Sequence, residues 1–192
     1  METVRLTGAR LTLREYRHTP EEVAALHAVH GDPRVVRHLP FDAADFEECA
    51  DQIELYLDEA ESDPRGHYRL AVDDAAGEPI GQAALTRDGA HAAQLGCVLR
   101  ADTWGRGYAG EVTELLCALG FDTLGLHRLF ARTDPDNQAA ARVLVRAGFR
   151  YEGRIRAESH WGGSWHDALQ YSLLAPEWRA VALGAPARRP GG

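Results

Sequence analysis

The run Trp104-Gly105-Arg106-Gly107-Tyr108-Ala109-Gly110 sets three glycines just ahead of a segment in which Val112, Leu115, Leu116 and Leu119 recur at helical spacing. A turn that leads into a helix leaves the first helical N–H groups unpaired at the positive end of the helix dipole, and an anion is stabilised there. Glycine lets the backbone come close to phosphate oxygens, although a tight turn alone also favours it. The run lacks the lysine and hydroxyl of a GxxxxGK[ST] loop, and its spacing is not that of a GxGxxG dinucleotide fingerprint. A diphosphate held in another way is what remains.

Other residues invite acid–base or covalent chemistry. Glu158 and His160 can each take a proton near neutral pH, and Asp167 can orient such a group or pair with Arg154 or Arg156 across a strand. Asn137 follows Asp134-Pro135-Asp136, where an amide side chain starts a helix. Cys97, inside LGCVL, reads as a small buried apolar side chain rather than a nucleophile. His27 and His30 lie three apart without a third ligand of suitable spacing, so they read as surface histidines and no metal is expected. Trp161 and Trp165 flank a Gly-Gly turn and suit either a cleft wall or a core edge.

These residues need a frame. Residues 4 to 17 alternate as a half-buried strand with a turn at Gly8, and Thr19-Pro20-Glu21-Glu22 opens a helix that closes at Gly31. From Asp45 to Ala60 the residues Phe46, Cys49, Ile53, Leu57 and Ala60 form one apolar stripe, with an acidic, solvent-facing surface from Glu47 to Glu61. Tyr68 to Val72, Ile80 to Leu85 and Ala92 to Leu99 read as an antiparallel meander. After the glycine turn come a helix, a strand over Arg128 to Thr133, a helix over Asp136 to Ala147, and strands over Phe149 to Ser159 and His166 to Leu174. The tail from 184 to 192, GAPARRPGG, reads as disordered.

The chain is long enough for one sizeable core, and residues 1–183 read as a single domain. A net charge of −8 opposes non-specific attraction to nucleic-acid phosphates and suits a cationic or amine-bearing partner. No apolar run is long enough to span a bilayer and no signal peptide is evident, so the expected location is cytoplasmic, away from membranes. Cys49, Cys97 and Cys117 are widely spaced and read as reduced thiols.

Three blocks, LGCVLRADTWGRGYAGE, HRLFARTDPDNQAAARVLVRAGFRYEGRIR and WHDALQYSLLAPEW, resemble in order and spacing the GCN5-related N-acetyltransferase (GNAT) superfamily, specifically its RimJ/RimL-like branch of ribosomal-protein-alanine acetyltransferases. Trp104, Gly107 and Ala109 occupy that family's Q/R-x-x-G-x-G/A coenzyme A pattern. The resemblance implies an α/β (α+β) fold whose mixed, mostly antiparallel central sheet splays at the cofactor, with helices on both faces. It implies acetyl-CoA as donor, its pyrophosphate on the backbone N–H groups of Gly105, Arg106, Gly107, Tyr108, Ala109 and Gly110. The pantetheine arm would pair with Cys97, Val98 and Leu99, and Asn137 would bond the cofactor near its thioester.

The acceptor would be a primary amine, on a small molecule or a protein N-terminus, attacking directly in a ternary complex of a monomer or homodimer. Three positions depart from the family's habits. Leu144 stands where many members carry a tyrosine acid, Ala140 where the branch often has a serine, and Gln94 where it often has a glutamate. Glu158 and His160 are then the candidate bases. A non-catalytic acyl-CoA-binding sensor or interaction module is the alternative.

Overall fold

The computed structural model describes residues 3–182, so the expected tail lies outside the described residues. The N-terminal alternation yields two strands, β1 (Arg5–Thr7) and β2 (Thr12–Glu15), because the chain reverses at Gly8, whose N–H donates to the Leu11 carbonyl at 2.8 Å. Helix α1 (Pro20–His30) starts at Thr19 with proline in its first turn, and a one-turn helix α2 (Pro33–Val36) follows. Helix α3 (Phe46–Glu61) opens on a reciprocal Asp45–Glu48 capping box. Strands β3 (His67–Asp73), β4 (Pro79–Asp88) and β5 (Ala92–Leu99) form the meander. Helix α4 (Tyr108–Cys117) ends in a π-helical turn, and β6 (Arg128–Thr133), α5 (Gln138–Arg146), β7 (Arg150–Trp161), β8 (Ser164–Leu174) and α6 (Ala175–Ala182) complete the chain.

All eight strands join one sheet in the order β1-β2-β3-β4-β5-β6-β8-β7, antiparallel except for the β5–β6 pair. Side chains alternate across a sheet, so each strand feeds both faces. Leu13, Val72, Ala83, Leu95, Leu129 and Leu173 join Val112 and Leu116 of α4 in the larger core cluster. On the other face Tyr16 and Ala71 pack with Val23 and Leu26 of α1 and Cys49 and Ile53 of α3. Helices therefore lie on both faces, and the fold is the mixed α/β architecture expected. Among the described residues no helix is long and apolar enough to cross a membrane.

Three local expectations change. The Glu22 side chain does not return to cap α1. It is buried instead, accepting from Arg14 Nη2 at 2.6 Å and from Arg17 Nη2 at 3.0 Å. Arg14 also holds Asp73 through Nε and Nη2 at 2.6 and 3.0 Å, so losing Arg14 would strand the buried Asp73 carboxylate and leave Glu22 with Arg17 alone, at a cost of about 3–5 kcal/mol. His30 is buried rather than on the surface, with Nδ1 2.9 Å from Gln52 Oε1 and Nε2 3.1 Å from Gln82 Oε1, and burial pulls its pKa down. Phe46, the first residue of the α3 stripe, is half exposed, its ring edge-on to His27 of α1 with the centroids 5.9 Å apart.

Candidate active site

The β5–β6 ladder joins only Ala92, Ala93 and Gln94 to Arg128, Leu129 and Phe130. Beyond Gln94 the two parallel strands have no paired residues. The orientation of the β5 peptides there follows from the neighbouring strand. Arg100 N–H donates to the Ile80 carbonyl at 2.8 Å, and Gln82 faces Val98, so even-numbered residues bond to β4 and odd-numbered ones face the gap. Cys97 and Leu99 thus direct their backbone groups into the opening. The Leu99 carbonyl is taken up by Trp104 Nε1 at 2.9 Å, which leaves the Cys97 peptide groups and the Leu99 N–H facing the gap.

The glycine turn lies at the end of the same strand. Gly105 and Gly107 adopt φ values of 77° and 78°, a left-handed conformation that glycine takes without strain. Gly107 is the N-cap of α4, no side chain caps it, and the first i→i−4 bond runs from Glu111 N to the Gly107 carbonyl at 3.5 Å. The N–H groups of Tyr108, Ala109 and Gly110 precede that bond and have no intrahelical partner. A Cβ built on Gly105 or Gly110 would meet nothing within 4 Å, so the approach is open.

A brace from the β1–β2 turn fixes this loop from behind. Arg10 Nη1 donates to the Arg106 carbonyl at 2.8 Å, Arg10 Nε donates to Glu111 Oε2 at 2.9 Å, and the guanidinium sits 4.9 Å from the Tyr108 ring centroid. Glu111 Oε1 also accepts the Arg10 and Leu11 N–H groups at 2.7 and 3.1 Å. Partial burial pushes the Glu111 carboxyl up, and these hydrogen bonds outweigh it and hold the pKa below the usual value.

On the sheet face shared with α1 and α3, register aligns Gln94, Phe130 and Ser172, and next to them Arg132 and Gln170. This region is built from side chains. Arg128 holds Glu152 bidentately at 2.7 and 2.6 Å, and Ser172 and Gln170 donate to the same carboxylate. The Arg128 hydrogen bonds, with those from Ser172 and Gln170, hold Glu152 down at about 2. Arg132 donates through Nε to Gln170 Oε1 at 3.2 Å and through Nη1 to Glu158 Oε1 at 2.8 Å. Glu158 sits in a bulge where Arg156, Ala157 and Glu158 oppose Asp167 alone. Ala157 there has φ 51°, unusual for a residue with a Cβ, and Asp167 holds the bend by accepting Ala157 N–H at 2.8 Å and Arg154 Nε at 2.6 Å.

A family model described as acetyltransferase (GNAT) domain matches residues 10–150. The chain belongs to the GNAT acetyltransferase family. Over 90 residues it is 32% identical to the N-acetyltransferase YnaD of Bacillus subtilis (strain 168), a stretch covering 47% of this chain and 53% of YnaD. The match therefore spans about half the length of that relative. The N-acetyltransferase p20 of Bacillus licheniformis is 28% identical over 183 residues, covering 93% of this chain and 99% of p20. Among solved structures, Mycobacterium smegmatis RimJ in complex with CoA-disulfide superposes with a TM-score of 0.77 at 22% identity, covering 95% of this chain and 94% of RimJ. Spermidine N-acetyltransferase from Vibrio cholerae, in complex with CoA and spermine, gives 0.76 at 20% identity, covering 90% and 99%.

Within this GNAT frame the sequence-named residues separate into two groups. Cys97, Val98 and Leu99 border the gap, and Trp104 through Gly110 form the turn at its end. Cys97 packs its side chain against the core, and burial pushes its thiol up to about 11, unsuited to a nucleophile. Asn137 is the N-cap of α5, its Oδ1 accepting Ala140 N–H at 3.0 Å. Leu144 is buried in the core. Glu158 is joined to Arg132, whereas His160 lies out on the β7–β8 hairpin with its ring 5.0 Å from that of Trp165. Trp161 stacks on His166 at 4.2 Å on the same hairpin, and neither tryptophan edges a core cluster. Sequence reasoning missed Arg10 and Arg132, whose partners stand far along the chain, and His38, which lies 3.4 Å from Asp134.

Proposed function

We propose that this protein transfers an acetyl group from acetyl-CoA to a primary amine by direct attack in a ternary complex. The observation that carries the reading is the continuity of two backbone features, the opened edge of β5 and the uncapped turn that follows it. Together they suit a long thiol-ended arm finished by a diphosphate. The N–H groups from Gly105 to Gly110 would hold the pyrophosphate, aided by the α4 dipole. The Cys97 and Leu99 peptides would pair with the pantetheine arm, and a free N–H at Cys97 would stabilise the oxyanion formed at the thioester carbon. The Asn137 amide, whose Oδ1 is already used as a cap, keeps its NH2 for the arm. An open groove of about 330 Å³ beside it, lined by Gln138, Ala141, Arg142, Val145 and Arg146, offers two arginines to the cofactor's remaining phosphate.

The acceptor would approach over the face that carries Gln94, Phe130, Arg132 and Gln170, with Glu158 at its rim. A buried leucine at 144 donates no proton, but a thiol is a moderate acid and its thiolate needs little protonation to leave at neutral pH. The name of the spermidine N-acetyltransferase points to polyamines, and this chain's acidic balance favours a cationic acceptor. The reading is tested by thiol release from acetyl-CoA, with N-terminal peptides, amino acids, amino sugars and polyamines supplied as separate pools. Release that depends on one pool supports it and names the acceptor class. Acetyl-CoA binding without release in any pool would support instead a non-catalytic sensor.

A further inference from the structure

An amine attacks a thioester only after losing its proton, so a transferase of this kind needs a side chain with a free lone pair facing the gap between β5 and β6. The two bases that the sequence suggests are badly placed for this. Glu158 directs Oε1 at the Arg132 guanidinium, 2.8 Å from Nη1, so that oxygen is committed to the ion pair rather than to an incoming amine. His160 pairs with Trp165, four residues beyond Leu169, the last β8 residue that β6 reaches, which is about 13 Å further along the strand.

A third group meets the requirement. His38 lies on the segment between α2 and α3, with Nδ1 3.4 Å from Asp134 Oδ1 and side-chain exposures of 27% and 21%. Asp134 directly follows the last residue of β6, and it is held still. Its Oδ1 accepts Asp136 N–H at 2.7 Å and its carbonyl accepts Asn137 N–H at 3.0 Å. Past Phe130 no residue of β6 pairs with β5, so Asp134 stands at the end of the β6 edge of the gap. Among the described residues, His38 Nε2 has no hydrogen-bond partner, and Asp134 is the charged group within ion-pair distance of the ring. In the preceding helix α2, Arg34 closes on the N-cap Asp32 at 2.6 Å.

We infer that His38, oriented by Asp134, is the general base that deprotonates the acceptor amine. The inference rests on the transfer reading above. The carboxylate favours the tautomer with hydrogen on Nδ1 and stabilises the imidazolium that forms. His38 Nε2 takes a proton from the amine as its nitrogen bonds to the thioester carbon. The tetrahedral intermediate then collapses with cleavage of the C–S bond, and the electron pair leaves on the coenzyme's sulfur. The imidazolium returns its proton to that thiolate or to solvent, so one amine and one acetyl thioester give one amide and one thiol. A separation of 3.4 Å is long for a hydrogen bond, and such contacts commonly tighten once the reactants are bound.

The test is thiol release by wild type, His38→Gln, His38→Ala and Glu158→Gln across pH, alongside calorimetric binding of acetyl-CoA. Loss of the base lowers turnover about 100-fold with acetyl-CoA affinity unchanged. The His38→Gln rate then climbs with pH as bulk water deprotonates the amine, and added imidazole restores part of the His38→Ala rate. A purely structural role for His38 would produce neither response. Wild-type turnover and pH profile in both His38 variants would overturn the assignment while leaving the transfer reading intact. A wild-type protein that binds acetyl-CoA but releases no thiol with any amine would overturn both.

Discussion

The two halves of the site are made of different material. On the proposed donor side, from Cys97 to Gly110, the groups that would meet the ligand are backbone N–H and C=O, freed by a strand that parts from its neighbour and by a helix without a side-chain cap. On the acceptor side, from Arg128 to Asp167, they are side chains tied into Arg128–Glu152, Arg132–Glu158 and Arg154–Asp167 pairs. A backbone site tolerates changes of side chain but no change that blocks the peptide. A side-chain site can be redrawn by single substitutions, which suits a family whose members share a donor and differ in acceptor.

The largest effect should come from blocking the backbone half. Gly107→Asp adds a side chain at φ 78° and a negative charge where the pyrophosphate would sit, and acetyl-CoA binding measured by calorimetry should fall by more than about 100-fold. Unchanged affinity in the folded variant would remove the turn from the donor site. Arg10→Ala loosens the loop from behind without touching its N–H groups. The KM for acetyl-CoA should rise about 10-fold, corresponding to one charge-assisted hydrogen bond, with the acceptor KM unmoved. Equal rises in both KM values would mean that the brace serves the whole fold.

Smaller changes belong to the other half. Glu158→Gln leaves Arg132 with a neutral partner and should lower kcat/KM for the amine several-fold, while calorimetric affinity for acetyl-CoA stays at the wild-type value. A weakened affinity would erase the division between the halves. The smallest effect is on stability. Glu152 has its folded pKa held at about 2 against an ordinary 4.5, so its contribution is full above about pH 4.5 and is lost as pH falls towards 2. Partial exposure screens it to roughly 1 kcal/mol, and Glu152→Gln should flatten the acid limb of a denaturation series by that amount.

The same division explains what the sequence revealed. Glycine spacing, a strand before it and a helix after it are local signals, so the strand, turn and helix proposed to form the donor half were legible from residues 92 to 119 alone. The capping role of Asn137 was equally local. The acceptor half depends on contacts between distant segments. Arg132 meets Glu158 and His38 meets Asp134 only once the sheet is assembled, and the same holds for the Arg10–Glu111 brace behind the glycine turn. The bulge carries no glycine or proline signal, because an alanine takes the left-handed position and Asp167 holds it there. His30 and Glu22 look like surface residues on a polar helix, and only the sheet beneath them and the pairing with Arg14 show that they are buried.

Amide hydrogen exchange with and without acetyl-CoA tests the backbone account most directly. Protection on binding should appear at Cys97 and Leu99 and from Gly105 to Gly110, and the β7–β8 hairpin from Glu158 to His166 should exchange as before. Protection confined to the hairpin, with the glycine turn unchanged, would contradict it.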